Sequence, residues 1–326
     1  MTRGLVIGKF YPPHRGHKFL IDSALRAVDT LHVIVCQKEV EKPDGELRAS
    51  WLREIHPTAI VRLIDDVGFD PDDSEVWAQN CRRWLGFIPD MVFTSEAYGD
   101  RFAACLGSQH VSIDRARHTV PISGTEIRKD PLANWDYLEP VVRGYYAKRV
   151  CLIGAESTGK TTLARTLATN YQTCWVPEYG REVSERMLKQ DGKYNWRSED
   201  FIEIALTQSR LENDAARECN RVLISDTDAF ATSIWHRRYL NLRSPEVEAI
   251  AKSQRRPDLY LLTDTKTPFV QDGTRDGEAI REWMQEVFLE ELVRQQREFE
   301  VLSGSYEERF RQAVKHIDII LMMRAP

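Results

Sequence analysis

The sequence predicts an α/β chain made of two doubly wound parallel-sheet domains. Short apolar runs alternate with amphipathic stretches along the whole chain, the pattern of a parallel sheet with helices on both faces. Each half opens with an apolar run that leads straight into a glycine-containing turn and then a helix. The pattern restarts near residue 148 after an aromatic-rich break, and 326 residues suit two domains, placed at 1–147 and 148–326.

In chain order, Leu5-Val6-Ile7 forms a strand that ends at Gly8, and residues 17–28 carry apolar positions at helical spacing. Strands follow at 31–36, 59–64 and 91–93. Asp130-Pro131 and Glu139-Pro140 bracket a stretch with Trp135, Tyr137, Tyr145 and Tyr146. It lacks the low complexity of a flexible linker and reads as a packed connector. The second half has strands at 149–153, 175–176, 222–225, 259–262 and 299–302, with long helices at 199–219, 277–298 and 305–323. The helix at 277–298 could serve as an interface for a homo-oligomer.

The formal charge is −5 with acid and base mixed along the chain, and no Lys/Arg block resembles a nucleic-acid arm. Six scattered cysteines without a C-x-x-C pair argue against a zinc ribbon or disulfide framework and fit a reducing cytosol. The opening MTRGLVIGKF is interrupted too soon for a signal peptide, and no apolar run approaches the ~20 residues of a membrane span. A cytoplasmic protein that is not membrane-embedded is expected.

Gly154-Ala155-Glu156-Ser157-Thr158-Gly159-Lys160-Thr161 matches G-x-x-x-x-G-K-[ST], between an apolar strand and a helix that begins with Thr162. Glycines let backbone N–H groups converge on phosphate oxygens, and the helix N-terminus adds a favourable dipole. Lys160 would reach the outer phosphates of ATP, and Thr161 would ligate Mg²⁺. Val222-Leu223-Ile224-Ser225-Asp226 is a buried strand ending in a carboxylate, a second Mg²⁺ ligand or else the cap of the next helix. A hydroxyl acceptor needs a carboxylate beside its proton, and Glu178, Asp226 and Asp228 all qualify. Arg275, in the glycine-flanked Gln271–Gly277 loop, could close over the phosphates as a lid or lie on a solvated turn.

The first half carries Gly8-Lys9-Phe10-Tyr11-Pro12-Pro13-His14-Arg15-Gly16-His17 at a strand-to-helix turn. His14 and His17 would aim ring donors at one spot, and Gly16 would let the backbone approach a phosphate. A zinc reading of the two histidines lacks further Cys/His partners at useful spacing. Ile122-Ser123-Gly124-Thr125-Glu126-Ile127-Arg128 would supply hydroxyls from Ser123 and Thr125 and a cation from Arg128. Alone it reads as a capped helix start; beside the first motif it becomes the second half of an ATP site.

The H-x-G-H element together with the Ser123–Arg128 run resembles the nucleotidyltransferase superfamily with H-x-G-H and I-S-S-T-x-x-R motifs, Gly124 replacing the usual second serine. The order of the two domains resembles the bifunctional NMN adenylyltransferase/ribosylnicotinamide kinase family of the NadR type, across nearly the whole chain. Glu178-Tyr179-Gly180-Arg181-Glu182, Asp226-Thr227-Asp228 and Asp272-Gly273-x-Arg275 resemble that family's kinase. The resemblance implies phosphorylation of nicotinamide riboside to NMN and adenylylation of NMN to NAD, with ATP as co-substrate at both sites and Mg²⁺ as cofactor.

The expected transferase contacts to ATP are Gly8, Lys9, Phe10, His14, Gly16, His17, Ser123, Thr125 and Arg128. Arg48, in an R-x-x-W match with Trp51, and Trp77, against nicotinamide or else in the core, would bind NMN. The expected kinase contacts to ATP are Gly154, Glu156, Ser157, Thr158, Gly159, Lys160, Thr161, Thr162 and Arg275. Glu178, Asp228, Asp272 and the aromatic Phe269 would hold the riboside. Members of this family often carry a DNA-binding helix-turn-helix ahead of the transferase. The first strand here starts within a few residues of Met1, so no repressor role is expected. Two other readings stay open: a transferase/kinase pair for another phosphomonoester, and a nucleotide-sensing module with weak catalysis.

Overall fold

The computed structural model describes residues 1–66, 68, 70, 73–270 and 278–323. It divides into two compact units, Met1–Val142 and Arg143–Pro326. The first unit holds β1 (Arg3–Gly8), α1 (Arg15–Ala27), β2 (Thr30–Gln37), α2 (Gly45–Ile55), β3 (Ile60–Asp65) and α3 (Ser74–Leu85). β4 (Met91–Thr94), α4 (Gly99–Leu106), β5 (Gln109–Ser112) and α5 (Gly124–Lys129) follow. The division falls inside α6 (Pro140–Tyr146), slightly before the 147/148 break expected from the sequence.

All strands of this unit pair in parallel, in the order β3-β2-β1-β4-β5. The chain builds outward from β1 to β3, then returns to the other side of β1, so a crevice opens beyond the carboxyl end of β1. Alternate residues serve opposite faces. Val6, Val33, Val35 and Phe93 meet Leu20 and Ile21 of α1 and Leu52 of α2. Leu5, Ile34 and Val92 meet Cys81 of α3 and Phe102 and Leu106 of α4. A strand buried on both faces reads as an unbroken apolar run, which is why β2 is plain in the sequence. β5 is not: at the sheet edge its Gln-His-Val-Ser has a single apolar residue and is only partly buried.

The second unit holds β6 (Lys148–Ile153), α7 (Lys160–Asn170), β7 (Trp175–Val176), α8 (Tyr179–Asp191), α9 (Ser198–Glu218) and β8 (Val222–Asp226). α10 (Ala229–Leu240), α11 (Pro245–Ser253), β9 (Leu259–Thr263), α12 (Arg281–Arg294), β10 (Phe299–Leu302) and α13 (Tyr306–Met322) complete it. Its sheet is parallel, in the order β10-β9-β6-β8-β7. Val150, Leu152, Ile224 and Leu261 pack on α7 and α13, while Cys151, Ile153, Tyr260 and Leu262 pack on α10 and α12.

The helix expected at 277–298 is shorter: α12 ends at Arg294, and Gln296 turns with φ +50° so that the chain can enter β10. The stretch read as a connector buries Leu132, Trp135, Leu138 and Tyr146. Among the described residues no helix is long and apolar enough to cross a membrane.

Candidate functional site

In each unit the central strand ends in a loop that lines a cleft. In the first, the turn after β1 delivers His14 as the N-cap of α1, where its Nδ1 accepts the Gly16 N–H at 3.1 Å. Nδ1 is then unprotonated, so the neutral ring carries its proton on Nε2 as a donor. A side chain at position 16 would place a Cβ 2.9 Å from the His14 ring, so only glycine permits this fold-back. The His17 ring lies 3.8 Å from that of His14 and packs edge-on to Phe10 at 5.0 Å. Burial first, then the charges of Arg117 and Arg128, push the His14 pKa down to about 4. Burial and the neighbouring His14 hold His17 well below its ordinary value. Both rings are therefore neutral at pH 7. His17 Nδ1 is buried without a hydrogen-bond partner among the described residues.

α5 closes the other side of this cleft, which Gly124 lines. Ser123 and Glu126 form a capping box, with Ser123 Oγ accepting the Glu126 N–H at 3.2 Å. Arg128 donates to the Tyr11 carbonyl at 2.5 Å and to Thr125 Oγ1 at 3.0 Å, tying the two expected motifs together. Gly8 ends β1, and Phe10, with φ +48°, turns the chain toward His14. Lys9 pairs with Glu41 at 3.0 Å.

The two residues expected to contact NMN are not among those that line this recess. Arg48 is fully buried, and its guanidinium donates to Glu41 at 2.7 Å, to the Asp44 carbonyl at 3.2 Å, and to the Lys9 carbonyl. It fastens the loop after β2 to the end of β1. Trp77 packs against Trp84 at 6.2 Å on the α3 side of the sheet and donates to the Asp70 carbonyl at 3.0 Å. Neither lines the cleft, whereas Glu96, Asp114 and Arg117, which no motif marked, do.

In the second unit the turn after β6 curls around the Lys160 ammonium, which donates to the Gly154 and Ala155 carbonyls at 3.0 and 2.8 Å. Gly154 has φ +141°, and a Cβ there would meet the Thr263 carbonyl at 2.8 Å, so β9 walls the loop closely. Gly159, Lys160, Thr161 and Thr162 line the cleft at the start of α7, and Glu156 faces Tyr239 across it at 3.4 Å. Thr158 turns inward to the Ala155 carbonyl at 2.9 Å, while Ser157 accepts the Val270 N–H at 2.8 Å.

Strand register sets Asp226 beside Leu152, and its Oδ2 accepts the Thr161 hydroxyl at 2.5 Å. Its Oδ1 is buried with no partner among the described residues, the arrangement of a carboxylate that ligates a cation. Glu178, at the N-cap of α8, also lines this cleft. Burial first, then repulsion by Asp226, pushes its pKa up to about 7.

Asp228 does not join them. It caps α10 by accepting the Ala231 N–H at 2.9 Å, and it accepts the Tyr260 hydroxyl at 2.6 Å on the α10 face of the sheet. The helix-cap reading weighed for Asp226 thus describes Asp228, two residues on. Phe269 lies against Arg281 at 5.8 Å and is not part of the cleft wall. The aromatic wall is instead Trp196, Phe201, Trp235 and Tyr239, with Arg181 at its edge. No sequence motif links these, because they come from two stretches, 196–201 and 235–239, that meet only in the fold. Asp272 and Arg275 lie outside the described residues.

Residues 5–130 match the family described as cytidylyltransferase-like, and residues 149–309 that described as an AAA domain. The chain is 30% identical to the trifunctional NAD biosynthesis/regulator protein NadR of Escherichia coli K12, over 96% of this chain and 82% of that one. The Salmonella typhimurium LT2 protein of the same name gives 30% over 96% and 82%. Two crystal structures of a NadR protein share the fold at 22% identity. One, in complex with NR, has a TM-score of 0.81 over 100% of this chain and 97% of that one. The other, with NAD and AMP-PNP, has a TM-score of 0.77 over 100% and 98%.

Two outcomes follow from the geometry. Asp228→Ala removes a cap and leaves the Tyr260 hydroxyl without its acceptor, a loss of about 2–4 kcal/mol. Urea unfolding measures it, and unchanged stability would contradict the buried role. A polyphosphate bound beside His14 raises its pKa from about 4 toward the ordinary range, so binding takes up protons between those values. Calorimetry with inorganic tripolyphosphate at about pH 5.5, in buffers of different ionisation enthalpy, should show more uptake for wild type than for His14→Gln. Equal uptake by the two would remove His14 from the phosphate site.

Proposed function

The chain belongs to the NadR family, and on that premise we propose that it is a two-step NAD-forming enzyme. The second unit phosphorylates nicotinamide riboside to NMN, and the first transfers AMP from ATP to NMN, giving NAD and pyrophosphate. The observation that carries this reading is that one chain holds both a cleft around Lys160, Thr161, Asp226 and Glu178 and a cleft lined by His14 and His17. The product of the first reaction is the acceptor of the second.

In the kinase step the riboside 5′-hydroxyl attacks the γ-phosphorus of ATP, its proton passes to Glu178, and ADP leaves. With a pKa near 7, Glu178 is a base matched to working pH. Lys160 moves from the loop carbonyls onto phosphate oxygens. Thr161 and Asp226 Oδ1, which has no partner among the described residues, fit a Mg²⁺, which would neutralise charge on the outer phosphates. The cationic pyridinium suits the faces of Trp196, Trp235 and Tyr239. A second recess, formed by Gly159, Lys266, Pro268 and Tyr306, suits the adenine.

In the transferase step the NMN phosphate is already ionised and needs no base. Its oxygen attacks the α-phosphorus as the bond to the pyrophosphate oxygen breaks. His14 donates from Nε2, and His17 and Arg128 lie beside the developing charge. Neutral ring donors avoid placing two bare cations in contact before ATP arrives. Free cysteines throughout suit the reducing cytosol where we place the enzyme.

Incubating the protein with nicotinamide riboside and ATP-Mg²⁺ should yield NMN and then NAD. Lys160→Ala should abolish riboside phosphorylation while sparing NAD synthesis from NMN; His17→Ala should do the reverse. Turnover of another phosphomonoester in preference to NMN would overturn the acceptor assignment. Because the base must be ionised, riboside phosphorylation should rise as pH increases through about 7. Glu178→Gln should abolish that limb and lower kcat by about 10²-fold or more. A retained limb would exclude Glu178 as the base.

A further inference from the structure

We propose that Arg117 is a phosphate-binding residue of the first cleft and that Glu96 is its resident counter-ion, displaced when a nucleotide polyphosphate enters. The proposal rests on the transferase reading only for the nature of the anion.

Arg117 lines the cleft with His14 and His17. It comes from the loop between β5 and α5, which is built to hold one shape. Asp114 and Arg117 both adopt the left-handed region, at φ +46° and +53°, although neither is glycine. Such residues persist only where surrounding contacts fix them. Here the Arg117 N–H donates to the Asp114 carbonyl at 2.7 Å. The Asp114 carboxylate in turn accepts the N–H groups of Thr119 and Val120, each at 3.0 Å. That carboxylate is occupied within its own loop. With both imidazoles neutral, Arg117 is the formal cation among the residues lining the cleft. Its charge also contributes to the lowered pKa of each ring, so its field reaches the place where phosphates would lie.

The Arg117 guanidinium pairs with Glu96 Oε1 at 3.1 Å, with side chains 42% and 52% exposed. A half-exposed pair of this kind is weak and exchangeable. A polyphosphate presents several ionised oxygens to the same fork and displaces a single carboxylate. The Glu96 backbone, by contrast, is anchored. Thr94 Oγ1 donates to the Glu96 carbonyl at 3.4 Å and also meets His110 Nε2 at 2.9 Å. His110 Nδ1 meets Asp100 at 2.7 Å. This relay joins β4, β5 and α4 under the turn, so the Glu96 side chain can swing away while its anchor stays. A tethered carboxylate keeps the cleft near neutrality when it holds no ligand, and it raises the charge an anion needs to compete.

The test uses the full chain in a Lys160→Ala background, so that phosphate binding by the P-loop is weakened and is the same in every variant compared, with inorganic tripolyphosphate as probe. Arg117→Gln should weaken its affinity about tenfold. Glu96→Gln should strengthen it about threefold. The double variant should match Arg117→Gln, because Glu96 acts only through Arg117. In adenylyl transfer, Glu96→Gln should lower KM for ATP without raising kcat. General damage to the fold cannot tighten binding, so the sign for Glu96→Gln decides the matter even if Arg117→Gln folds poorly. Unchanged affinity in Arg117→Gln, or weaker affinity in Glu96→Gln, overturns the proposal. Lack of NAD synthesis by the wild type would instead count against the functional reading and would leave the tripolyphosphate result standing.

Discussion

Both units depend on one constraint, the burial of a central parallel strand on its two faces. β6 is buried at every position, and β1 at Gly4, Leu5 and Val6. A strand held this way cannot slip by one residue without turning its inward side chains to the wrong face. Its carboxyl end is therefore fixed between two neighbouring strands, and the turn that leaves it starts from a rigid floor. The His14 cap and the loop around Lys160 are both such turns. Their amides and side chains can converge because the strand beneath them does not move.

The two clefts manage charge in opposite ways. The first keeps its imidazoles neutral through burial and leaves its positive charge to Arg117, paired with Glu96. The second gathers carboxylates around a lysine. Burial raises both Glu178 and Asp226, and Lys160 pulls both back. Such a cluster is poised for a cation and for an ionisable acceptor, whereas the first cleft offers neutral ring donors and the Arg117 cation to an anion. The division matches the chemistry: a hydroxyl must lose a proton to attack phosphorus, and a phosphate need not.

Below each cleft lies a layer of polar residues that hold backbone in place. Arg48 ties the loop after β2 to the end of β1. Gln208 accepts the Tyr179 N–H at 3.0 Å and donates to the Thr227 carbonyl at 3.3 Å, joining the start of α8 to the end of β8. Asp228 fixes α10 against Tyr260. These charged and amide groups are buried and satisfied, so each contributes to geometry while remaining out of reach of a ligand.

The sequence by itself determined the α/β class, the two sheets, the strand-to-turn-to-helix units and the glycine-containing turn that leaves each central strand. These are local properties: apolar runs mark strands buried on both faces, and glycines mark turns where only glycine fits. Only the tertiary structure decided which side chains of similar chemistry face a cleft. Arg48 and Arg117 are both arginines near the first site, yet one is sealed beneath it and the other lines it. Asp226 and Asp228 are two residues apart, yet the first meets Thr161 and the second turns to Tyr260. The wall of Trp196, Phe201, Trp235 and Tyr239 is assembled from segments far apart in the chain. Spacing along a chain cannot report which distant segments share a cavity, because the packing of helices against the sheet sets that.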